Sequence, residues 1–182
     1  MILIGLAGPA RAGKNTVAEA MSGYLGPHVE MMAFADPLKN ICVDLFDLTQ
    51  EERYNESLKE KEISRWGLSP RQMYQSVGTA MRTQFGPGFW VRKWEIEYEK
   101  LPKNCAVIVT DVRFDNEAAA IRRKGGIIIK VERPAVLQGA TAKHESENGL
   151  STDPDFVILN DSTLDKLKSL AKLLAEELYG RI

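Results

Sequence analysis

Gly8-Pro9-Ala10-Arg11-Ala12-Gly13-Lys14-Asn15-Thr16 follows the apolar run Ile2-Leu3-Ile4-Gly5-Leu6-Ala7 and leads into a segment, Asn15–Tyr24, that can carry an amphipathic helix. Strand, glycine loop and helix are the context in which G-x-x-x-x-G-K cradles phosphate. Gly8 and Gly13 permit backbone angles and close approaches that a Cβ would block. Successive N–H groups can then turn inward around an anion at the positive end of the helix. Lys14 is long enough to reach the outer phosphates. The pattern departs from its usual form at one place: Asn15 stands where Ser or Thr is expected.

With 182 residues the chain suits one domain, 1–182, large enough to bury a real core. A net charge of −1 with 27% charged residues gives no global attraction to nucleic acid or to an anionic membrane, so phosphate binding must come from local placement of Lys and Arg. No apolar run approaches the roughly 20 residues that span a bilayer, and the start Met1-Ile-Leu-Ile-Gly5 lacks the basic flank of a signal sequence. Cys42 and Cys105 match no metal-ligand spacing, so they read as small core residues of a protein in a reducing cytoplasm.

Beyond the loop, Val29–Ala35 reads as a second buried strand, with Pro37 opening a helix to Phe46. Charge is dense and apolar residues sparse from Asp47 to Leu68, which predicts a solvated helical excursion. Ser69-Pro70 opens a helix to about Thr83, Gly86-Pro87-Gly88 interrupts the chain, and Phe89–Lys100 is again helical. Cys105–Thr110 is a third strand running into Asp111, followed by a helix at Asn116–Lys124 and strands at Ile127–Val131 and Phe156–Leu159. Pro134–Pro154 lacks periodicity and reads as a functional loop. Thr163–Tyr179 carries a stripe of Leu164, Leu167, Leu170, Leu174 and Leu178. Apolar strands alternating with helices predict an α/β fold with a parallel sheet covered on both faces and ligands at its carboxyl edge.

That edge gathers the glycine loop, Asp36, Asp111 and Arg133. Asp111 suits a carboxylate aimed at the metal shell of a nucleotide, or a turn Asp bonding locally. Asp36 suits a ligand contact equally with a helix cap. Arg113 suits a surface ion pair, but two residues past a buried strand it is well placed for bidentate contact with phosphate. Gln75, Thr79 and Arg82 share one helical face, either a polar ligand surface or simply a solvated one. Trp66, Trp90 and Trp94 read as packing residues. His144 and His28 have no partner at metal-ligand spacing.

Taken together, the chain resembles the phage-type deoxynucleoside monophosphate kinases of the P-loop nucleoside monophosphate kinase superfamily. The resemblance rests on Gly8–Thr16, Phe34-Ala-Asp-Pro-Leu-Lys39, Gln75-x-x-Gly-Thr-x-x-Arg82, Thr110-Asp-Val-Arg-Phe-x-Asn-Glu117, His144-x-Ser-Glu147 and Asn160-Asp161. It implies a three-layer α/β/α P-loop fold with five parallel strands, a helical acceptor-binding insertion at 47–104 and a lid at 134–154. The activity it implies is transfer of the γ-phosphoryl of ATP, with Mg²⁺, to a (deoxy)nucleoside 5′-monophosphate.

Carried over residue by residue, ATP would be held by Gly8, Ala10, Ala12, Gly13, Lys14, Asn15 and Thr16, with Asn160 at the adenine. Asn15, Thr16 and Asp111 would serve the Mg²⁺ shell, Asn15 through an amide oxygen or a water in place of the usual hydroxyl. Asp36, Lys39, Gln75, Thr79, Arg82 and Arg113 would face the acceptor. Arg11, Arg82, Arg113 and Arg133, with Lys14 and Asp36, would form the catalytic set. The partners implied are small-molecule nucleotides, with neither nucleic acid nor membrane, for a monomer or homodimer in the cytoplasm, the host's if the protein is viral.

Two other readings fit parts of the pattern. Dephospho-coenzyme A kinase shares the glycine loop, the post-strand Asp and the Asn-Asp turn, but its ribose hydroxyl acceptor would require Asp36 to act as a base. The departure at Asn15 also suits a nucleotide-binding module with little catalysis.

Overall fold

A computed structural model describes residues 2–55, 57–134 and 149–180. The chain divides into two compact units, Met1–Ala33 with Glu99–Ile182, and Phe34–Tyr98.

The first unit is built on five parallel strands: β1 (Leu3–Ala7), β2 (Val29–Met32), β3 (Ala106–Val112), β4 (Ile127–Glu132) and β5 (Phe156–Leu159). Their order is β2-β3-β1-β4-β5, and every pairing is parallel. β1 is buried along its whole length because it lies at the centre of a sheet covered on both faces. Ile4, Leu6, Ile108, Ile129, Val131 and Ile158 form one core with α1 (Lys14–Leu25) and the last helix, α7 (Leu164–Tyr179). Alternate residues of the strands face the other way, where α6 (Asp115–Arg123) packs on β1 and β4. The result is the three-layer α/β/α arrangement expected from the sequence.

In this unit three expectations change. β2 stops at Met32, short of Ala35, and as an edge strand leaves Glu30 and Met31 exposed; its apolar composition matched a buried strand, but position in the sheet decides burial. On α7 the fully buried line is Leu167, Ala171 and Ala175, while Leu164 is exposed. Small residues win there because α7 lies directly against α1, where Ala18 is also fully buried, and alanines let the two backbones approach. β3 continues past Asp111 to Val112 because it is bulged: Gly5 pairs with Val109 and Ala7 with Val112, three steps of β3 against two of β1.

The second unit is helical, with α2 (Asp36–Phe46), α3 (Gln50–Tyr54), α4 (Pro70–Phe85) and α5 (Phe89–Tyr98). Ser69 caps α4: its hydroxyl accepts from Gln72 N–H, and the Gln72 carboxamide oxygen accepts from Ser69 N–H at 2.8 Å. Thr49 and Glu52 make the same reciprocal pair on the five-residue α3, too short to be stable on its own, and Arg65 also pairs with Glu52. The charged stretch 47–68 is not wholly solvated. Leu48 and Ile63 are buried with Leu38, Cys42, Met73 and Trp90, each contributing about 1.5–3 kcal/mol of burial. Trp90 and Trp94 are core residues, and Trp66, 42% exposed, packs edge-on against Phe46 and donates its indole N–H to the Phe46 carbonyl, so all three are packing residues as expected.

Gly78 lies inside α4, where glycine costs about 1 kcal/mol against alanine. A Cβ there would come 3.0 Å from Leu38 of α2. The Gly78 carbonyl also accepts the Trp90 indole N–H at 3.1 Å. One residue therefore sets the approach of α2 and α5 to α4.

Candidate functional site

β1 ends at the topological switch of the α/β unit: the chain leaves β1 toward β2 on one side and leaves β3 toward β4 on the other. The loop 8–13 begins where β1 ends. Gly8 has φ 130°, and a Cβ on it would lie 2.3 Å from the Val131 carbonyl oxygen of β4. Gly13, left-handed at φ 106°, is the N-cap of α1 and uses no side chain to cap it. The first helical bond runs from Val17 N–H to the Gly13 carbonyl, so the amides of Lys14, Asn15 and Thr16 precede the ladder and point out of the helix end. This is the donor set that an anion needs.

Lys14 folds back over the loop, donating to the carbonyls of Gly8 at 2.7 Å and Pro9 at 2.8 Å. Burial pulls its pKa down to about 8, helped by repulsion from Arg113, while Asp111 works in the opposite direction. Lys14, Asp111 and Arg113 thus share one electrostatic site. The bulge in β3 falls at Thr110 and Asp111, where a local kink re-aims side chains at the sheet edge. Arg11 adopts φ 63°, and its carbonyl accepts from Arg133 Nη1 at 3.4 Å. Asn160, just beyond β5, donates its side-chain N–H to the Ala12 carbonyl at 2.8 Å. Ala10 and Asn15 are exposed, and Thr16 is half-buried in the first turn of α1.

Glu117 was missed as a site residue by sequence reasoning. It is only 5% exposed, the one buried carboxylate among the described residues. Its Oε2 accepts from the backbone N–H of Arg113 at 2.8 Å and of Phe114 at 3.1 Å, tying down the turn between β3 and α6. Burial pushes its pKa up to about 8, reinforced by the Asp111 charge and opposed by those two amides. Its place three residues after Phe114, followed by Ala118-Ala-Ala-Ile121, was the available signal: an acid at the third helical position of a helix that packs on a sheet.

In the helical unit, Asp36 is not the cap of α2. The N-cap is Ala35, and Asp36 lies in the first turn with Lys39 Nζ 3.6 Å from its carboxylate. Arg82 donates to the Thr79 hydroxyl at 3.4 Å. The place a Cβ on Gly78 would take has Leu38 and Arg82 Nη1 as neighbours, at 3.0 and 3.9 Å, so the Arg82 guanidinium lies along α4 beside the start of α2. Gln75 is half-buried, about two turns before Arg82 on α4. His144, Glu147 and most of the 134–154 segment lie outside the described residues.

Residues 60–171 match the profile of the deoxynucleotide monophosphate kinase family. The chain is also similar, with 35% identity over 182 aligned positions and 93% of each chain, to a protein of Acanthamoeba polyphaga mimivirus provisionally named deoxynucleotide monophosphate kinase. The chain belongs to that family. It further shares 35% identity over 108 residues, 57% of this chain and 44% of the other, with the deoxynucleotide monophosphate kinase of Enterobacteria phage T4. Among solved structures, shikimate kinase from Aquifex aeolicus covers 97% of this chain with 96% of its own at a TM-score of 0.52 and 14% identity, a likeness of fold. Family membership makes the chain a kinase, as the glycine loop and Lys14 had indicated. Among the described residues, no helix is long and apolar enough to cross a membrane.

Proposed function

We propose that this kinase transfers the γ-phosphoryl of ATP, with Mg²⁺, to a deoxynucleoside 5′-monophosphate. The observation that carries the proposal is the loop 8–13 at the switch point, with the first-turn amides of α1, Lys14, Asp111 and Arg113 sharing one electrostatic site. A triphosphate is the anion that this combination of helix-end amides and cationic side chains suits.

The residues fit magnesium. Among the described residues no group of three or more His, Cys, Asp or Glu could hold a metal alone, but Mg²⁺ arriving with a triphosphate needs only one or two protein oxygens, the rest coming from phosphate and water. Asp111, whose carboxylate acts on Lys14, and the Thr16 hydroxyl in the first turn of α1 would supply them, with the Asn15 amide beside them. Bound there, the ion would neutralise charge on the phosphates and hold the donor in line.

The protein's own residues do the rest. The amides of Gly13 through Thr16 orient the donor. The Lys14 ammonium exchanges its carbonyl partners for phosphate oxygens and is held protonated by them. Arg11, Arg113 and Arg133 add positive charge on the donor side. Asp36, Lys39, Gln75, Thr79 and Arg82 form the acceptor face of the helical unit, with Arg82 the group for the monophosphate and Gln75 for the base. The acceptor phosphate is already anionic at neutral pH, so the transfer needs alignment and charge neutralisation rather than a strong base.

A coupled assay of ADP release with ATP, Mg²⁺ and each deoxynucleoside monophosphate, beside dephospho-coenzyme A, tests the proposal. Turnover with at least one monophosphate and none with dephospho-coenzyme A is expected. Tight ATP binding with no product from any monophosphate would overturn it.

A further inference from the structure

Asn160 is the first residue past β5, and its backbone N–H donates to the Glu132 carbonyl of β4 at 2.7 Å, so the strand ladder fixes where its side chain starts. From there its Nδ2 reaches 148 residues back in sequence to the Ala12 carbonyl. A Cβ on Gly13 would lie 2.8 Å from that same Nδ2 and 3.0 Å from Leu167 Cδ2 of α7. The amide therefore fills the space the glycine leaves, with Leu167 beside it. The Ala12–Gly13 peptide is planar and trans, so its C=O and N–H point in opposite directions. Holding the carbonyl toward Asn160 turns the Gly13 N–H away from β5 and α7.

Given the phosphate role proposed above for the loop, we infer that Asn160 is a positioning residue: acting through the Ala12 carbonyl, it aims the Gly13 amide at the bound phosphates. This differs from the adenine contact that the family resemblance implies for Asn160. An adenine reader acts on the base alone, whereas a residue that sets a loop amide acts on every phosphate ligand, with or without a base.

The experiment compares tripolyphosphate, ATP and GTP binding by calorimetry for wild type, Asn160→Leu, which keeps the branched side-chain outline and removes the donor, and Asn160→Ala, which removes the donor without adding bulk. The expected result is about tenfold weaker binding of all three ligands, the loss of one oriented hydrogen bond, with the ATP to GTP ratio unchanged. In ¹⁵N spectra the Gly13 amide should shift on adding tripolyphosphate to wild type and shift much less in the variants. Unchanged tripolyphosphate affinity with a selective loss of ATP would overturn the inference in favour of base reading. A lowered melting temperature with the Gly13 shift intact would overturn it in favour of a purely structural role. If wild type itself bound neither ATP nor tripolyphosphate, the phosphate-loop reading would fall first, and the inference with it.

Discussion

Replacing Glu117 by Gln should change how stability depends on pH, because a buried carboxylate with a raised pKa destabilises the fold as it ionises. In the folded chain Glu117 titrates near 8 against an ordinary value of 4.5. Below pH 4.5 it is protonated in both states and costs nothing. Between 4.5 and 8 the unfolded chain loses the proton first, so stability falls by about 1.4 kcal/mol per pH unit, and the loss is complete once pH passes the folded value. At pH 7 this is on the order of 3 kcal/mol, and it approaches about 5 kcal/mol at pH 8 and above. The other shifted groups act elsewhere. Glu52, near 2, and Asp115, also lowered, titrate below this window, while Lys14, near 8, adds stability between 8 and its ordinary 10.5. Gln keeps an oxygen for the Arg113 and Phe114 amides and removes only the charge. Urea denaturation of both proteins from pH 5 to 8 should give similar midpoints at pH 5 and an increasingly more stable variant toward pH 8. Parallel curves would refute the reasoning, since they would mean that Glu117 ionises normally and that its burial and the Asp111 charge impose no cost.

Lys14→Ala should keep its fold and lose 10²- to 10³-fold in turnover, about 3–4 kcal/mol of transition-state stabilisation by analogy with removal of a preorganised donor; steady-state kinetics with a melting curve checks both halves. ATP binding at pH 8 should take up about half a proton as the phosphates return Lys14 to full charge, seen as a buffer-dependent calorimetric enthalpy that disappears in Lys14→Met. Gly8→Ala should cost on the order of 3 kcal/mol in urea unfolding, because its Cβ would meet the Val131 backbone oxygen, which cannot swing aside as a side chain would. Ser69→Ala should cost about 1 kcal/mol through the lost cap of α4, read from the same unfolding curves.

Much of the proposed donor site could be read in the sequence because it is local. A strand, two glycines, a lysine and a helix start lie within sixteen residues, and each has a physical meaning at its own position. Lys14 was singled out by the glycine-loop pattern, Asp111 and Arg113 by their places at the end of a strand, and β5 by four apolar residues between turns. Glu117 was not found, because a glutamate in a helix's first turn is ordinarily solvated and only the packing of α6 on the sheet buries it. The exposure of Glu30 and Met31 had no signal either, since an edge strand and a central strand can share a composition.

What the sequence alone determined is the kind of chemistry: residue types and short spacings specify a phosphate loop, and the alternation of strands and helices specifies a parallel α/β core. Tertiary structure decided which groups act on one another. The strand order β2-β3-β1-β4-β5 puts β3 beside β1, so Asp111 and Arg113 act on Lys14 from about a hundred residues away in the chain. The return of β5 beside β4 brings Asn160 to Ala12. The bulge in β3 sets where Asp111 falls relative to β1. Such contacts depend on pairing order and register, properties of several strands at once, and no window of sequence carries them.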